Sequence, residues 1–309
     1  MKKFSLKNGK EKWADTLRLM KQERAGYAFI APYMILFCVF TLLPVLISVF
    51  YSFTYYNILE PARFIGWDNY TRLILNDNVF ITAVKNTFVY ASITGPIGYF
   101  ASFILAWFLC ELGPKMRSVL VFLFYIPSIS SSMYIIWSLL FSSDSYGLIN
   151  ATLMKLGIIN TPILWLQNSK YIMPIIILAG LWMSLGTSFL TFVAGLQGID
   201  RSLCEAGAVD GIRNRFQELW YITLPVMRPQ LTFTAVISIA QAFSGSDIAQ
   251  NLAGLPSVDY AGHTIVTHLL DYGNIRFEMS YACAIATVLF IIMVTVNKLA
   301  TMFIGRIGK

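Results

Sequence analysis

Six apolar blocks, each about as long as a membrane-crossing helix, constrain the fold of this chain more than any other feature. A helix needs about 20 residues to cross a hydrocarbon core ~30 Å thick. The chain is only 13% charged, against roughly 25% in a soluble domain. We therefore predict an all-α integral membrane protein with six transmembrane helices. They lie near Tyr27–Thr54, Phe80–Leu109, Ser118–Phe141, Ile172–Val193, Leu231–Leu252 and Phe277–Phe303.

The distribution of Lys and Arg between the loops predicts the orientation of these spans. The N-terminal tail and the connections on its side contain 17 of these residues, whereas the opposite connections contain five. Cytoplasmic loops carry the excess of positive charge in membrane proteins, so both termini are predicted to be cytoplasmic. The net charge of +7 follows from this bias and gives no argument for nucleic acid, since no Lys or Arg run exceeds two residues.

These spans divide the chain into a cytoplasmic tail over residues 1–26, a six-span domain over 27–304 and a short cytoplasmic tail over 305–309. The first apolar block is too long for the core of a signal peptide and no small-residue cleavage site follows it, so we expect a retained span. Upstream, from Glu11 to Arg24, Trp13, Leu17 and Met20 recur at helical spacing among basic residues, which fits a helix on the inner leaflet. A solvated tether is an equally good interpretation.

Residue types that support catalysis or metal binding are sparse. The four cysteines have no metal-ligand spacing and fit small apolar fillers. His263 and His268 are the only histidines, and their spacing in a predicted outer loop is poor for a metal site. No phosphate-binding G-x-x-x-x-G-K-[ST] motif and no nucleophile or zinc-protease motif occurs. We therefore predict no catalytic residue, no metal site and no cofactor bound by this chain.

A polar segment in the fourth-to-fifth connection, residues 197–230, is the clearest candidate for a partner contact. Ser202 and Glu205 have the spacing of a capping box, which predicts Ser202 as a helix N-cap. Apolar residues then recur every three or four positions, and Gly211 is expected to end the helix. Two later prolines are expected to stop the next helix before the fifth span. On spacing alone, Glu205 fits the cap of an ordinary surface helix equally well.

The run EAGAVDGIRNRFQELWYITLP, from Glu205 to Pro225, resembles the E-A-A-x-x-x-G…I-x-L-P signature of permease subunits of binding-protein-dependent ABC importers. The resemblance implies a type I ABC importer permease fold, in which this loop forms a coupling helix that docks on a cytosolic ATPase. It assigns ATPase coupling to Glu205, Ala206, Gly207, Asp210, Gly211, Leu224 and Pro225.

Two positions depart from that signature. Gly207 stands where the third motif residue is alanine, and ten residues separate Gly211 from Ile222 where nine is usual. We expect the extra residue to alter the helix that returns the chain to the bilayer more than it alters the docking end.

Weaker matches indicate the carbohydrate-type branch of the same family. Phe64–Tyr70 reads FIGWDNY and is similar to the F-x-G-x-x-N-[YF] segment of that branch, and Asn86-Thr87 and Ala31-Pro32 fit it as well. The resemblance implies import of a sugar or oligosaccharide across a bacterial cell membrane. Its implied partners are a second homologous permease, two cytosolic ABC ATPase subunits that bind ATP and magnesium, an extracytoplasmic solute-binding protein and membrane lipid.

The substrate path is expected along the fourth and fifth spans, because polar side chains in membrane helices face the bundle or a water-filled path. The candidates are Ser238, Gln241, Ser244 and Asp247, which follow one another at threes, and Trp182 as a stacking platform. Hydrogen bonding to a helix of the partner subunit explains any one of the polar residues slightly better. Trp182 has the alternative role of simple packing.

Three predicted outer segments are candidates for contact with a solute-binding protein: Ile58–Asn76, Ser143–Lys170 and Ala253–Arg276. Ser143–Lys170 mixes polar and apolar residues in a way that fits a small amphipathic cap.

The alternative function is a secondary transporter that uses Asp247 in a six-helix bundle, although such transporters place several titratable groups or broken helices at mid-membrane, often in inverted repeats. An intramembrane enzyme would need paired acids or a nucleophile and base, and none is present. The sequence leaves open whether the substrate is a disaccharide, a longer oligosaccharide, or a glycerol-phosphate or polyol compound.

Overall fold

The computed structural model describes residues 23–304 of the 309. The predictions for residues 1–22 and 305–309, which include the tail helix expected from Glu11 onward, lie outside the described residues. Helices dominate the described part, as expected. It also contains a short antiparallel sheet that pairs Thr54 with Phe64 and Tyr55 with Arg63.

The helices follow the apolar blocks and the loops between them. In chain order they are α1 Arg24–Phe37, α2 Leu43–Tyr51, α3 Asp68–Thr71, α4 Asn78–Cys110, α5 Pro114–Ile129, α6 Tyr134–Leu140, α7 Leu148–Lys155, α8 Ser169–Met183, α9 Thr187–Gln197, α10 Arg201–Val209, α11 Arg215–Glu218, α12 Leu224–Val226, α13 Arg228–Ser244, α14 Ser246–Ala253, α15 Ile265–Leu270 and α16 Met279–Ile304. The strands are β1 Thr54–Tyr55 and β2 Arg63–Phe64. Turns of the π type lie at Cys38–Leu42, Arg72–Asn76, Leu219–Thr223 and Asp271–Ile275, and 3-10 turns lie at Ser131–Met133 and Val258–Tyr260.

Among residues 23–304, four helical stretches are long and apolar enough to cross a membrane as they stand: Arg24–Tyr51, Asn78–Cys110, Ser169–Gln197 and Met279–Met302. The third predicted span corresponds to α5 and α6, which meet at a bend of 82°. The fifth corresponds to α13–α14, and the helical segment α11–α12 before it meets them at a bend of 77°. The predicted number of six spans therefore holds only if each bent pair counts as one.

The bend in the third span follows a proline and lies in a serine-rich stretch. Pro127 lies inside α5, where it lacks an amide hydrogen for the helical ladder. Ser130 has extended backbone angles, and its Oγ accepts a hydrogen bond from the Ser132 amide at 3.3 Å. The serine side chain thus replaces a helical hydrogen bond at the point where α5 ends.

The fourth and fifth spans are interrupted at glycines. Gly186 is buried in the short break between α8 and α9. Gly245 separates α13 from α14, with φ and ψ of −68° and 54° that no helix continues through. Irregular backbone at membrane depth is tolerated where protein buries it or where it lines a cavity. A cavity is therefore expected beside these two breaks.

Helix α4 is the centre of the bundle. It packs against α8, α9 and α13, and α16 packs in turn against α13 and α2. Glycine permits the close approach of α4 to the break in the fourth span, because a Cβ on Gly98 would lie 2.7 Å from Ser184 Oγ. By contrast, α1 has no buried residue, so its apolar side chains face lipid or another subunit.

The segment Ser143–Lys170 folds around a buried asparagine. The Asn150 Nδ2 group donates to the carbonyl oxygens of Ser142, Asp144 and Ile163. Its Oδ1 accepts from the Ile163 amide at 3.1 Å and from the Trp165 indole at 2.9 Å. One amide side chain thus joins the backbone segments that precede and follow α7. The cap that was expected in this segment contains α7.

A chain of buried polar groups lies at the end of the bundle opposite the 197–230 loop. His263 Nε2 lies 3.2 Å from His268 Nδ1, and His268 Nε2 lies 3.0 Å from Asp77 Oδ2. Tyr281 donates its hydroxyl hydrogen to the same Asp77 oxygen at 2.7 Å. With Asp77 ionised, His268 must donate through Nε2 and accept at Nδ1 from His263, so both imidazoles are neutral. Within residues 23–304, no group of three or more His, Cys, Asp or Glu has a metal-binding arrangement.

Candidate functional site

The exposed helix of the 197–230 loop, α10, is capped by Asp200 rather than by the predicted Ser202. Asp200 Oδ1 accepts a hydrogen bond from the Ser202 amide at 3.0 Å. That bond lowers the pKa of Asp200, so a negative charge stands at the positive end of the helix. The predicted Ser202–Glu205 capping box is therefore wrong, because an aspartate two residues earlier supplies the cap. Glu205 lies inside α10 and is exposed to solvent.

The helix ends as the sequence predicted. Its last residue is Val209, and Gly211 adopts a φ of +97°, which a glycine takes without strain. The Ile212 amide donates to the Gly207 carbonyl at 2.9 Å and closes the turn. The three-to-four spacing of apolar residues had predicted that Ile212 would extend the apolar face of this helix. Because α10 ends at Val209, Ile212 lies beyond the helix and does not extend that face.

Gly207, which stands where the signature has alanine, is the buried residue of α10. A Cβ at this position would lie 2.6 Å from Ile222 Cδ1 and 3.0 Å from Ile212 Cδ1. The space that an alanine methyl would fill is taken by Ile222, which belongs to the segment returning towards the fifth span. Glycine and isoleucine together hold α10 against that segment.

The returning segment contains the extra residue noted in the sequence. It passes through a π-turn at Leu219–Thr223, which forms hydrogen bonds from residue i to i+5 and so accommodates one residue more than an α-turn. This irregularity lies in the returning segment, and α10 is regular. We had expected the extra residue to alter the returning helix more than the docking end. The prediction that Pro225 and Pro229 stop this helix before the fifth span holds at Pro229, where the segment Arg215–Val226 ends at a bend of 77°, and is wrong at Pro225, through which the helical segment continues. Each occupies the first turn of a helical segment, where its missing amide hydrogen is not needed.

The loop contains large apolar side chains that the rest of the chain leaves exposed. Exposed fractions are 44% for Leu203, 88% for Val209, 71% for Phe216 and 66% for Trp220. Ala206, Asp210 and Pro225 are exposed beside them. Large apolar side chains clustered on a polar loop mark a contact surface for another protein.

An ion pair and a ring contact join this surface to α4 of the bundle. Arg215 lies 3.4 Å from Glu111 at the end of α4 and 3.0 Å from Glu218 in its own helix. The Phe216 ring packs on Trp107 of α4, with 5.6 Å between ring centroids. Burial, followed by the nearby Glu218 carboxylate, raises the pKa of the Cys204 thiol.

A polar cavity of about 250 Å³ lies where the helix breaks converge. Its wall includes Gly186 from the break in the fourth span, Gly245 from the break in the fifth, and Ser128 beside the bend in the third. Three rings and several smaller polar groups complete the polar part of the lining. These are Tyr90, Tyr99 and Tyr125, and Thr94, Ser184, Thr187, Ser238, Gln241 and Asp247.

The cavity brings together some of the predicted path residues and not others. Ser238, Gln241 and Asp247 line it, whereas Ser244 does not. Trp182 also lies outside the lining and packs edge-on against Trp137, with 5.9 Å between centroids. Ser238 Oγ lies 2.9 Å from Ser188 Oγ, so this residue hydrogen-bonds to α9 within the chain. The alternative of a hydrogen bond to a partner subunit stays a prediction.

The lining residues of the second, third and fourth spans were missed from the sequence. Tyr90 is one of them, and its ring is held between two glycines: a Cβ at Gly180 would overlap its hydroxyl, and a Cβ at Gly245 would lie 2.9 Å from it. The only sequence signal was the presence of small and hydroxylated residues in otherwise apolar spans. Which of them meet is decided by tertiary packing.

A second, apolar groove of about 820 Å³ runs between α4, α13 and α16. It shares Tyr99 and Ser238 with the polar cavity, and Trp220 and Leu224 of the returning segment lie at one end. The groove thus connects the 197–230 loop with the polar cavity along the bundle surface.

Comparison with known proteins agrees with these features. Residues 20–307 match the family described as "Binding-protein-dependent transport system inner membrane component". The chain is 34% identical over 291 residues to "Probable ABC transporter permease protein YesP" of Bacillus subtilis (strain 168), covering 93% of this chain and 92% of that protein. It is 32% identical to the arabinooligosaccharides transport system permease protein AraP of the same organism, covering 95% and 92%.

A solved structure has the same fold. It is a bacterial ABC transporter involved in the import of the acidic polysaccharide alginate, and it superposes with a TM-score of 0.77 over 96% of this chain and all of the matched chain. The sequence identity is 24%, so this similarity concerns the fold alone.

Proposed function

Because this chain belongs to the family of binding-protein-dependent transport system inner membrane components, we propose how its parts serve ATP-driven import. The chain is a multi-pass permease subunit of an ABC importer, and ATP hydrolysis belongs to separate subunits. With a second permease, it forms the path for a sugar or oligosaccharide delivered by an extracytoplasmic solute-binding protein. The arabinooligosaccharide permease, similar over nearly the whole chain, supports a sugar substrate.

The observation that carries the proposal is the exposed face of α10. A helix that precedes the returning segment, carries Glu205 and leaves Leu203 and Val209 exposed has the properties of a docking element. In our proposal the ATPase binds this face, and ATP and magnesium bind to the two ATPase subunits. Closure of the ATPases then moves α10, which transmits the movement through Gly207 and Ile222 to the fifth span.

The orientation of the chain follows from the same proposal. ATPases lie in the cytosol, so α10 is cytoplasmic, and the 17-to-5 bias of Lys and Arg supports this side for both termini. The buried histidine chain and α7 then lie on the extracytoplasmic side. The segments Ile58–Asn76, Ser143–Lys170 and Ala253–Arg276 are available there to a solute-binding protein.

A second permease accounts for apolar surface that this chain leaves uncovered. No residue of α1 is buried, and the apolar groove between α4, α13 and α16 is open along its length. Lipid covers part of this surface, and in the proposal the second permease covers the rest. Neither the lipid contact nor the contact with the second permease requires a metal or cofactor in this chain.

A secondary transporter using Asp247 is not favoured. It would need no exposed docking helix, and the family relationship extends over residues 20–307, which include the whole loop.

The test is a charge reversal on the docking face. We expect Glu205→Lys to abolish co-purification of the ATPase subunits and ATP-dependent uptake, because a lysine replaces the carboxylate at the centre of the proposed contact. Glu23→Lys is the matched control, since Glu23 is an exposed glutamate at the start of α1, on the same side of the membrane in this proposal but outside the docking loop. Normal assembly and uptake with Glu205→Lys, or equal losses with both variants, would contradict the proposal.

A further inference from the structure

The end of α4 is joined to the 197–230 loop at two places that lie outside α10. Arg215 Nε lies 3.4 Å from the carboxylate of Glu111, the residue that caps the C-terminus of α4. Next to Arg215 in sequence, the Phe216 ring packs on Trp107, with 5.6 Å between ring centroids. Trp107 and Glu111 are four residues apart, so they lie on one face of the helix. Both contacts therefore meet α4 on the same side.

The helix that makes these contacts, α11, is also held to the docking helix. Glu218 pairs with Arg215 at 3.0 Å, and its carboxylate faces the Cys204 thiol of α10. The start of α11 is fixed by its own side chains. Asn214 Oδ1 accepts from the Gln217 amide at 2.8 Å, and the Gln217 side chain accepts from the amide that precedes Asn214. Thus α11 connects α10 with α4.

This connection differs from the one through Gly207 and Ile222. That contact leads into the fifth span, with which the loop is continuous. The contacts of α11 lead to the second span, which is separated from the loop by the third and fourth spans. One loop therefore touches two helices that are distant from each other in sequence.

The two helices supply opposite parts of the polar cavity wall. Tyr90, Thr94 and Tyr99 come from α4, and Ser238 and Gln241 come from α13. A loop attached to α13 alone would move one part of this wall. A loop attached to both helices moves α4 and α13 together.

The strength of the connection sets the size of the effect. The side chains of Arg215 and Glu111 are 60% and 39% exposed, and an exposed ion pair shifts an equilibrium by about fivefold or less. The ring contact between Phe216 and Trp107 adds to it, because tilted rings attract each other beyond the area that they bury. The contacts bias the position of α4 and do not lock it.

From this arrangement we infer that α11 is a second coupling element and that Arg215 is a positioning residue, which ties α4 to the movement of the docking helix through Glu111. The inference rests on the proposed function. It concerns how movement reaches the second span, and it leaves ATPase binding to α10.

The test follows the movement of each helix separately in the assembled importer. Thr94→Cys places a thiol on the α4 part of the wall, and Gln241→Cys places one on the α13 part. Mass spectrometry at each residue measures its rate of reaction with methyl methanethiosulfonate, with and without ATP, magnesium and orthovanadate. The response is the ratio of the two rates, and we expect a response at both residues.

Charge variants then assign the response at residue 94 to the ion pair. Arg215→Glu and Glu111→Arg each create a like-charge pair and should reduce the response at residue 94 by about threefold, with little change at residue 241. Combining them restores an opposite pair and should recover most of the loss. Arg213→Glu is the matched control, since Arg213 is an exposed arginine two residues from Arg215, and should leave both responses unchanged.

Four results would overturn the inference. They are no response at residue 94 without the charge variants, equal changes at residues 94 and 241, no recovery in the charge swap, and a loss of thermal stability with the response at residue 94 intact, as a merely structural pair would give. Co-purification of the ATPases is measured on every variant. If it persists and residue 241 alone responds to nucleotide, the inference fails and the proposed function stands.

Discussion

At the scale of single residues, the chain shows how context decides among side chains that look equivalent in sequence. Asp200 and Ser202 are both good N-caps, and only the path of the backbone selects Asp200. His263 and His268 read as loop residues, yet each is only 1% exposed. Neither outcome could be predicted, because each depends on groups distant in sequence, such as Asp77.

The buried histidine chain gives a pH prediction. Burial, followed by the neighbouring His268, lowers the pKa of His263 to about 4, and burial also lowers that of His268, although Asp77 opposes this shift. Burial would raise the pKa of Asp77, but hydrogen bonds from the Phe80 amide and Tyr281, together with His268, outweigh it and lower the pKa. The nearby Asp271–Arg276 and Arg72–Glu278 pairs face the same cluster.

The three shifts act in the same direction. A histidine whose pKa is lowered by folding binds protons more readily when unfolded, so its contribution to stability is lost as pH falls below about 6.5. An aspartate with a lowered pKa likewise loses its contribution in acid. We expect local opening of residues 260–281 to become easier by about 2 kcal/mol between pH 7 and pH 5.

Hydrogen exchange in the assembled importer, corrected for intrinsic exchange rates, measures this change. His263→Gln removes one titrating ring and should reduce the pH dependence by more than it changes the stability at pH 7. Equal protection at both pH values in the unmodified chain, or greater protection at pH 5, would show that the histidines do not resist protonation.

At the scale of helices, hydropathy predicted where the spans lie but not where they break. The apolar blocks located α4 and α16 closely, because length and polarity define a long buried helix. The breaks at Gly186 and Gly245 left no comparable signal, since a single glycine is common inside membrane helices. The cavity followed from those breaks, which is why only its fifth-span residues were predicted.

Tyr90 joins three of these elements, and its fit between glycines makes a stability prediction. In Gly180→Ala the new methyl would overlap the Tyr90 hydroxyl and lie 3.0 Å from two ring carbons, so the ring must shift away from α8 towards the cavity that it lines. We expect a loss of about 1–3 kcal/mol, typical of overpacking. Thermal unfolding of the assembled importer measures it.

Gly113→Ala is the matched control, because nothing lies within 4 Å of its added methyl. Replacing Tyr90 by leucine in the Gly180→Ala background should recover part of the loss. A Gly180→Ala importer as stable as the control would mean that the ring is not held between α8 and the break at Gly245.

The π-turn of the returning segment predicts a tolerated deletion. Removing Tyr221, which is 68% exposed, should convert Leu219–Thr223 into an α-turn and leave α10 intact. We expect ATPase co-purification to persist in this variant. Deleting Ala206 from α10 is the comparison and should abolish it by displacing the docking face. If the two deletions have the same effect, the π-turn does not absorb the extra residue.

At the scale of the whole molecule, the chain leaves apolar surface on α1, along the groove between α4, α13 and α16, and on the 197–230 loop. In the proposed assembly, lipid and the partner subunits cover this surface. One loop signature predicted the family, while composition and charge predicted the membrane and the orientation. The packing at the interfaces could not be predicted from the sequence of one chain, because it also depends on the side chains of the partners.

The measurement that tests the central claim most directly is site-specific cross-linking in membrane vesicles. Val209→Cys places a thiol on the exposed end of α10, and Tyr146→Cys places one on the opposite side of the bundle. The account predicts that residue 209 cross-links to the ATP-hydrolysing subunit and is reached by an impermeant thiol reagent only from the cytosolic side, whereas residue 146 does neither. Labelling of residue 209 from outside intact cells, or no cross-link in an importer that is active in uptake, would contradict it.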